Sequence, residues 1–114
     1  MTLILLVRVK NLYVTAIHQL SEWISHHFDK DVVKIWGNGA DFDNVILTSA
    51  YKRNDLELPW RYTNNRCYRT LKSLYPEIKL ERSGTHHNAL DDAISQANHL
   101  MSIFSHINNT QQAA

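Results

Sequence analysis

Two short apolar runs, held apart by a stretch of helical length, constrain this chain more than any other feature. Leu3 to Val9 and Val32 to Trp36 are rich in aliphatic and β-branched residues and read as strands. Between them, Tyr13 to Phe28 repeats Ala16 or Ile17, Leu20, Trp23 or Ile24 and Phe28 at steps of three and four, which predicts an amphipathic helix. Gly37-Asn38-Gly39 ends the second strand, and Asp41 to Tyr51 carries Phe42, Val45, Ile46 and Ala50 at helical spacing. Asn54 to Thr63, with Pro59 and no clear period, reads as a loop. A short helix is expected near Asn65 to Leu74, stopped by Pro76, and Ile78 to Leu80 is at most a short strand. After the turn Ser83-Gly84-Thr85, His87 to Phe104 has Leu90, Ala93, Ile94, Ala97, Leu100, Met101 and Phe104 on one stripe, predicting a long amphipathic helix. Strand, helix, strand, helix and a final helix imply an α/β layered domain with one small sheet.

Size allows one such domain and no second: 114 residues, 44% of them apolar, with a formal net charge of +1. The longest apolar run, Leu3 to Val7, is five residues and ends at Arg8, far below the ~20 needed to span a bilayer. Membrane and secreted readings are therefore poor. The single Cys67 cannot form an internal disulfide and fits a reducing, cytoplasmic setting. Charge is unevenly placed. Lys52 to Arg82 holds eight basic and four acidic residues, a local +4 against −3 for the remainder. Such a split suits a region that meets phosphates beside one that keeps carboxylates, although an ordinary solvated surface has the same composition.

Two clusters carry possible chemistry. Asp41 and Asp43 fall at the carboxyl end of the second strand, where open α/β sheets keep their sites. Aspartate is also a preferred helix cap, and Asp41, just ahead of the periodic residues, is the better candidate for that work. Thr85-His86-His87-Asn88-Ala89-Leu90-Asp91-Asp92 opens the last helix. Imidazole can take a proton near neutral pH and carboxylates suit Mg²⁺ or Mn²⁺, while capping accounts for the same residues structurally. Helical angles leave open which of Asp91 and Asp92 faces a site. His99 and His106 share a helix face but stand about 10 Å apart at 1.5 Å per residue, too far for one zinc ion. Phe42, Trp60, Tyr62 and Tyr68 interleave with Arg61, Arg66 and Arg69, a pattern suited to single strands in which bases stack and phosphates pair. The alternative, that Trp60 and Tyr62 anchor their loop to the body, stays open. Trp23, Trp36 and Phe104 are assigned to the core.

The order of the clusters, Asn-Gly-Ala-Asp-Phe-Asp at a strand end and then His-Asn-Ala-Leu-Asp-Asp opening a C-terminal helix, resembles motifs II and III of the DEDDh 3′–5′ exonucleases. The similarity is greatest to their small bacterial and phage branch, extends over Tyr13 to Ile107, and includes Trp60-Arg61-Tyr62 and Arg66-Cys67-Tyr68-Arg69-Thr70-Leu71. It implies a ribonuclease H-like fold and a nuclease that cuts the terminal phosphodiester of single-stranded DNA or RNA. It makes Asp43 and Asp92 metal ligands and His87 the general base, with Mg²⁺ or Mn²⁺ in a two-metal site. Asp91 becomes a neighbour and Asp41 a cap. Asn38, Phe42, Arg66, Tyr68 and Arg69 are the candidate nucleic-acid contacts.

The family opens with a strand carrying Asp-x-Glu, whereas this chain has no acidic residue before Glu22. Its one Asp-x-Glu, Asp55-Leu56-Glu57, lies in a loop-like stretch beside Pro59. The expectation is an N-terminally truncated domain of prophage type: a short strand over 1–10 replacing the missing hairpin, a partial exonuclease domain over 11–107 and a disordered tail over 108–114. Impaired activity follows, because two carboxylates poorly balance two divalent ions. Self-association into a homodimer or larger follows from an exposed sheet edge. The alternative function is a non-catalytic remnant that binds single-stranded nucleic acid or a protein partner through Lys52 to Arg82.

Overall fold

A computed structural model describes residues 2–4, 14–85 and 88–113. Its sheet has the order β1-β2-β3, with β1 Thr2–Ile4, β2 Lys34–Gly37 and β3 Asn65–Cys67, all parallel. Leu3 pairs with Ile35, and Ile35 in turn with Asn65. Parallel neighbours need long crossovers. Helix α1 (Val14–His27) makes the first, and a wide turn over Ala40–Asn44 with α2 (Val45–Arg53) makes the second. Helices α3 (Tyr68–Leu74) and α4 (Ala89–Ala113) follow β3. The expected α/β layering is present. The expected strand Leu3 to Val9 is represented by β1, and its later residues lie outside those described.

Because side chains alternate across a strand, β2 feeds two cores. Ile35 packs with Ile17 and Ile24 of α1, Leu47, Ala50 and Tyr51 of α2, and Val33 and Trp60. Its neighbour Trp36 packs the other way, against Tyr68 and Leu100, with Leu71 and Phe104 beside them. The sheet thus lies between α1 and α2 on one face and α3 and α4 on the other.

Several boundaries differ from expectation for identifiable reasons. Asn65–Cys67 is strand where helix was expected. None of the three is a strong strand former, so pairing with Ile35 to Gly37 sets the conformation. The helix expected from Asp41 is α-helical only from Val45, and it continues a turn of π-type over Ala40–Asn44. Ile78 to Leu80 forms no strand. The tail expected to be disordered is helical through Ala113, since nothing between Phe104 and Ala113 breaks a helix already anchored. Helix α4 also turns differently. Ser95, His99, Leu100 and Ile103 face inward, while Leu90, Ile94 and Met101 are exposed. Trp23, assigned to the core, is 44% exposed and rests on the rings of His27 and Phe28.

Candidate nucleic-acid site at the carboxyl end of the sheet

The carboxyl end of β2 is fixed by Gly37 and Asn44. A Cβ at Gly37 would overlap the Asn44 Oδ1, so only glycine lets this amide lie against the strand. Buried Asn44 donates from Nδ2 to the Ile35 carbonyl at 3.0 Å and to Asn65 Oδ1 at 2.8 Å. Trp60 Nε1 donates to the same Asn65 oxygen at 3.1 Å, and Asn65 Nδ2 donates to the Tyr62 carbonyl at 3.1 Å. One amide network therefore ties β2, the wide turn and β3 together. It satisfies buried polar groups that would otherwise each cost about 1–3 kcal/mol.

On this platform Asp43, rather than Asp41, takes the capping work: its Oδ2 accepts the Gly39 N–H at 3.2 Å. Asp41 and the Arg69 guanidinium flank Gly39, where a Cβ would meet Asp41 Oδ1 at 3.3 Å and an Arg69 nitrogen at 3.8 Å. Arg69 also donates its backbone N–H to the Asn38 carbonyl at 3.0 Å. A cation thus stands beside the aspartates at the strand end. Phe42 is 66% exposed next to them, available to a base. Half-buried Arg66 turns one guanidinium nitrogen to the Thr63 and Asn65 carbonyls. Tyr68 must be removed from the candidate contacts. It is fully buried, and its hydroxyl bonds His99 Nδ1 at 2.6 Å, because the opposite face of the sheet needs its bulk. Of the two loop aromatics, Trp60 is an anchor, whereas Tyr62 is 79% exposed.

At the second cluster the structure separates the two aspartates. Asn88 Oδ1 caps the helix by accepting the Asp91 N–H at 3.1 Å, and Asp91 Oδ2 accepts the Thr85 N–H at 2.9 Å, tying the preceding loop to the helix start. Gly84, at φ 71°, lies under the Asp91 carboxylate where a side chain would collide with it. Asp92 instead lies 3.5 Å from the Arg82 guanidinium. His87, the expected general base, lies outside the described residues.

A divalent ion needs several oxygen ligands converging on one point. Among the described residues no three His, Cys, Asp or Glu side chains do so. Asp43 gives an oxygen to a backbone N–H, and Asp92 faces an arginine. Asp43 and Asp92 are therefore only part of the ligand set that a two-metal centre needs, and no chemical step is assigned to an ion. Asp55-Leu56-Glu57 offers no substitute. Asp55 closes the turn after α2 at φ 53°, and Glu57 pairs with Lys30 at 2.7 Å, at the opposite end of β2 from Asp43. The Lys30 contact holds the Glu57 carboxyl below its usual range. His99 is held between Tyr68 and the Ile78 carbonyl, and His106 lies 3.6 Å from Glu77.

Cys67 is half-buried at the start of α3. Burial pushes its thiol up, but hydrogen bonding by the Thr70 side chain and by the backbone at Ala40, Thr70 and Arg69 outweighs this, leaving it below the ordinary range. Thr48 and Ser49 on the outer face of α2, given no site role in the sequence, line with Lys52 a cleft of about 360 Å³. The available signal was their position opposite the apolar Leu47, Ala50 and Tyr51.

The chain is a small parallel α/β domain with acids at a strand end and at the start of its last helix. The sequence model of the 3′-5′ exoribonuclease Rv2179c-like domain matches residues 4–104, and the chain belongs to that family of 3′–5′ exonucleases. Comparisons with curated proteins and with solved structures returned no match. No helix among the described residues is long and apolar enough to cross a membrane.

Proposed function

We propose that the chain is a 3′–5′ exoribonuclease domain of ribonuclease H-like, DEDDh type acting on single-stranded 3′ ends. The observation that carries this reading is the family match across 4–104, which spans both acidic clusters. Supporting it, Asp43 sits at the carboxyl end of β2 with Arg69 nearby and Phe42 exposed, an arrangement suited to a terminal phosphate and its base. In the reaction the oxygen of a water attacks the terminal phosphorus and the bond to the 3′ oxygen of the preceding nucleotide breaks. The products are a nucleoside 5′-monophosphate and a strand with a new 3′-hydroxyl. His87 takes the water's proton, and the departing 3′ oxygen gains one from solvent. Asp43 and Asp92 are this chain's share of the acidic set, and dependence on Mg²⁺ or Mn²⁺ belongs to the proposal.

Asp43→Asn and Asp92→Asn should each lower the rate of shortening of a 5′-labelled RNA by about 10²-fold or more, with the far-ultraviolet dichroism retained. Folded variants that shorten RNA at the wild-type rate would remove both residues from the reaction. The second reading, a non-catalytic protein that binds single strands through Lys52 to Arg82, is favoured by the eight basic against four acidic residues of that stretch. It predicts salt-dependent binding without turnover.

A further inference from the structure

A cleft lies beside the strand-end acids, on the outer face of α2. Ala40, Asn44, Val45, Thr48, Ser49, Lys52 and Asn65 line about 360 Å³, room for a group the size of a nucleotide. Its floor is rigid, because the Asn44 and Asn65 amides are held by the network that joins β2 to β3. Two hydroxyls stand on its wall. Ser73, Ser102 and Thr110 turn back to carbonyls three or four residues earlier in their own helices, whereas Ser25 and Ser105 do not. Among the described residues Thr48 and Ser49 make no such bond and border the cleft instead. Lys52 ends the row one turn further on, exposed, and among the described residues it has no acidic partner.

We propose that this row is a subsite for the ribose-phosphate backbone of the RNA strand upstream of the nucleotide being removed. The inference rests on the exoribonuclease reading and extends it. From Val45 to Lys52 the helix rises seven residue steps, about 10 Å at ~1.5 Å per residue. That spans about three nucleotides at ~3.4 Å each in a stacked strand. Phe42 and Val45 stand exposed at the end near Asp43 and meet the bases closest to the cut. Thr48 and Ser49 meet the middle of the run, where a 2′-hydroxyl can both donate to and accept from a protein hydroxyl and DNA has no equivalent group. Lys52 meets a phosphate about three nucleotides upstream. Grip therefore depends on strand length, and selectivity for RNA comes from the hydroxyl pair.

The test compares the wild-type chain, Lys52→Ala, Thr48→Val with Ser49→Ala, and Lys30→Ala as a distant control. Binding to labelled oligoribonucleotides of two, four and eight residues, and to their deoxy counterparts, is followed by fluorescence anisotropy across a salt series. Shortening of the same strands is measured in parallel. Lys52→Ala should weaken binding of the four- and eight-residue strands about five- to tenfold, leave the dinucleotide unchanged and reduce the salt slope by about one. The hydroxyl double variant should reduce the ratio of RNA to DNA affinity about threefold or more, and Lys30→Ala should do neither. Wild-type binding that neither set of α2 variants alters overturns the subsite, as does a wild type that binds no strand at low salt. Binding that follows these expectations while no strand shortens supports the subsite and overturns the exonuclease reading, so the two failures are distinguishable.

Discussion

Two asparagines and a glycine hold the site together, and none of them is chemically conspicuous. Gly37 is required because the Asn44 amide occupies the space of its Cβ, and Asn44 in turn bridges β2 to β3. Gly37→Ala should therefore displace that amide and cost roughly 2–4 kcal/mol, from overpacking together with the loss of buried hydrogen bonds. Urea unfolding followed by tryptophan fluorescence would measure this, and a change below half a kilocalorie would contradict the account. At this scale the sequence was only partly legible. Asp43 and Asp92 were identifiable as acids at element ends. The exchange of capping work from Asp41 to Asp43 was not, because it depends on the π-type turn over Ala40–Asn44 that returns the Asp43 carboxylate to the Gly39 N–H, which periodicity does not show. Tyr68 was misread for a similar reason. An aromatic among arginines has the same pattern whether it faces a base or, as here, the core.

Among the elements, α4 shows how far a helical pattern reaches. Its apolar residues cover about half its circumference, and the sequence did not show which part of that arc would face inward. The choice is made by polar contacts. Ser95 Oγ accepts the Ser83 N–H at 2.9 Å, and His99 receives Tyr68 at Nδ1 and reaches the Ile78 carbonyl from Nε2 at 2.7 Å. These bonds strap residues 78–83, which lead toward His87, onto α4. Tyr68→Phe should remove one of them and lower stability by about 1–3 kcal/mol near pH 8. It should also alter the alkaline limb. Burial holds the folded Tyr68 phenol above its ordinary value of 10.0. As pH rises past that value, the unfolded phenol ionises before the folded one, the unfolded state binds fewer protons, and stability falls. The phenylalanine variant lacks this loss, so the gap between the two proteins should narrow above about pH 10 in paired urea titrations. A constant gap would contradict the assignment.

For the whole molecule, the alternation of short apolar runs with amphipathic segments was sufficient to give α/β layering. Parallel pairing and the division of β2 between two cores emerge only from the assembled sheet. β3 was invisible beforehand, because Asn65–Cys67 becomes strand by pairing rather than by preference. The row Leu90, Ile94 and Met101 on α4 is an exposed apolar surface of the kind that self-association buries. A dimer or larger assembly is expected in sedimentation, and a monodisperse monomer at micromolar concentration would contradict it. The central claim remains the chemistry: removal of nucleotides one at a time from the 3′ end of RNA. The most direct measurement follows one single-stranded RNA, labelled at its 5′ end in one reaction and at its 3′ end in another, with Mn²⁺ or with EDTA. The account predicts a descending ladder from the 5′ label and immediate release of the 3′ label as a nucleoside 5′-monophosphate, both abolished by EDTA. Internal cuts, shortening from the 5′ end, or intact RNA after incubation with folded protein would contradict it.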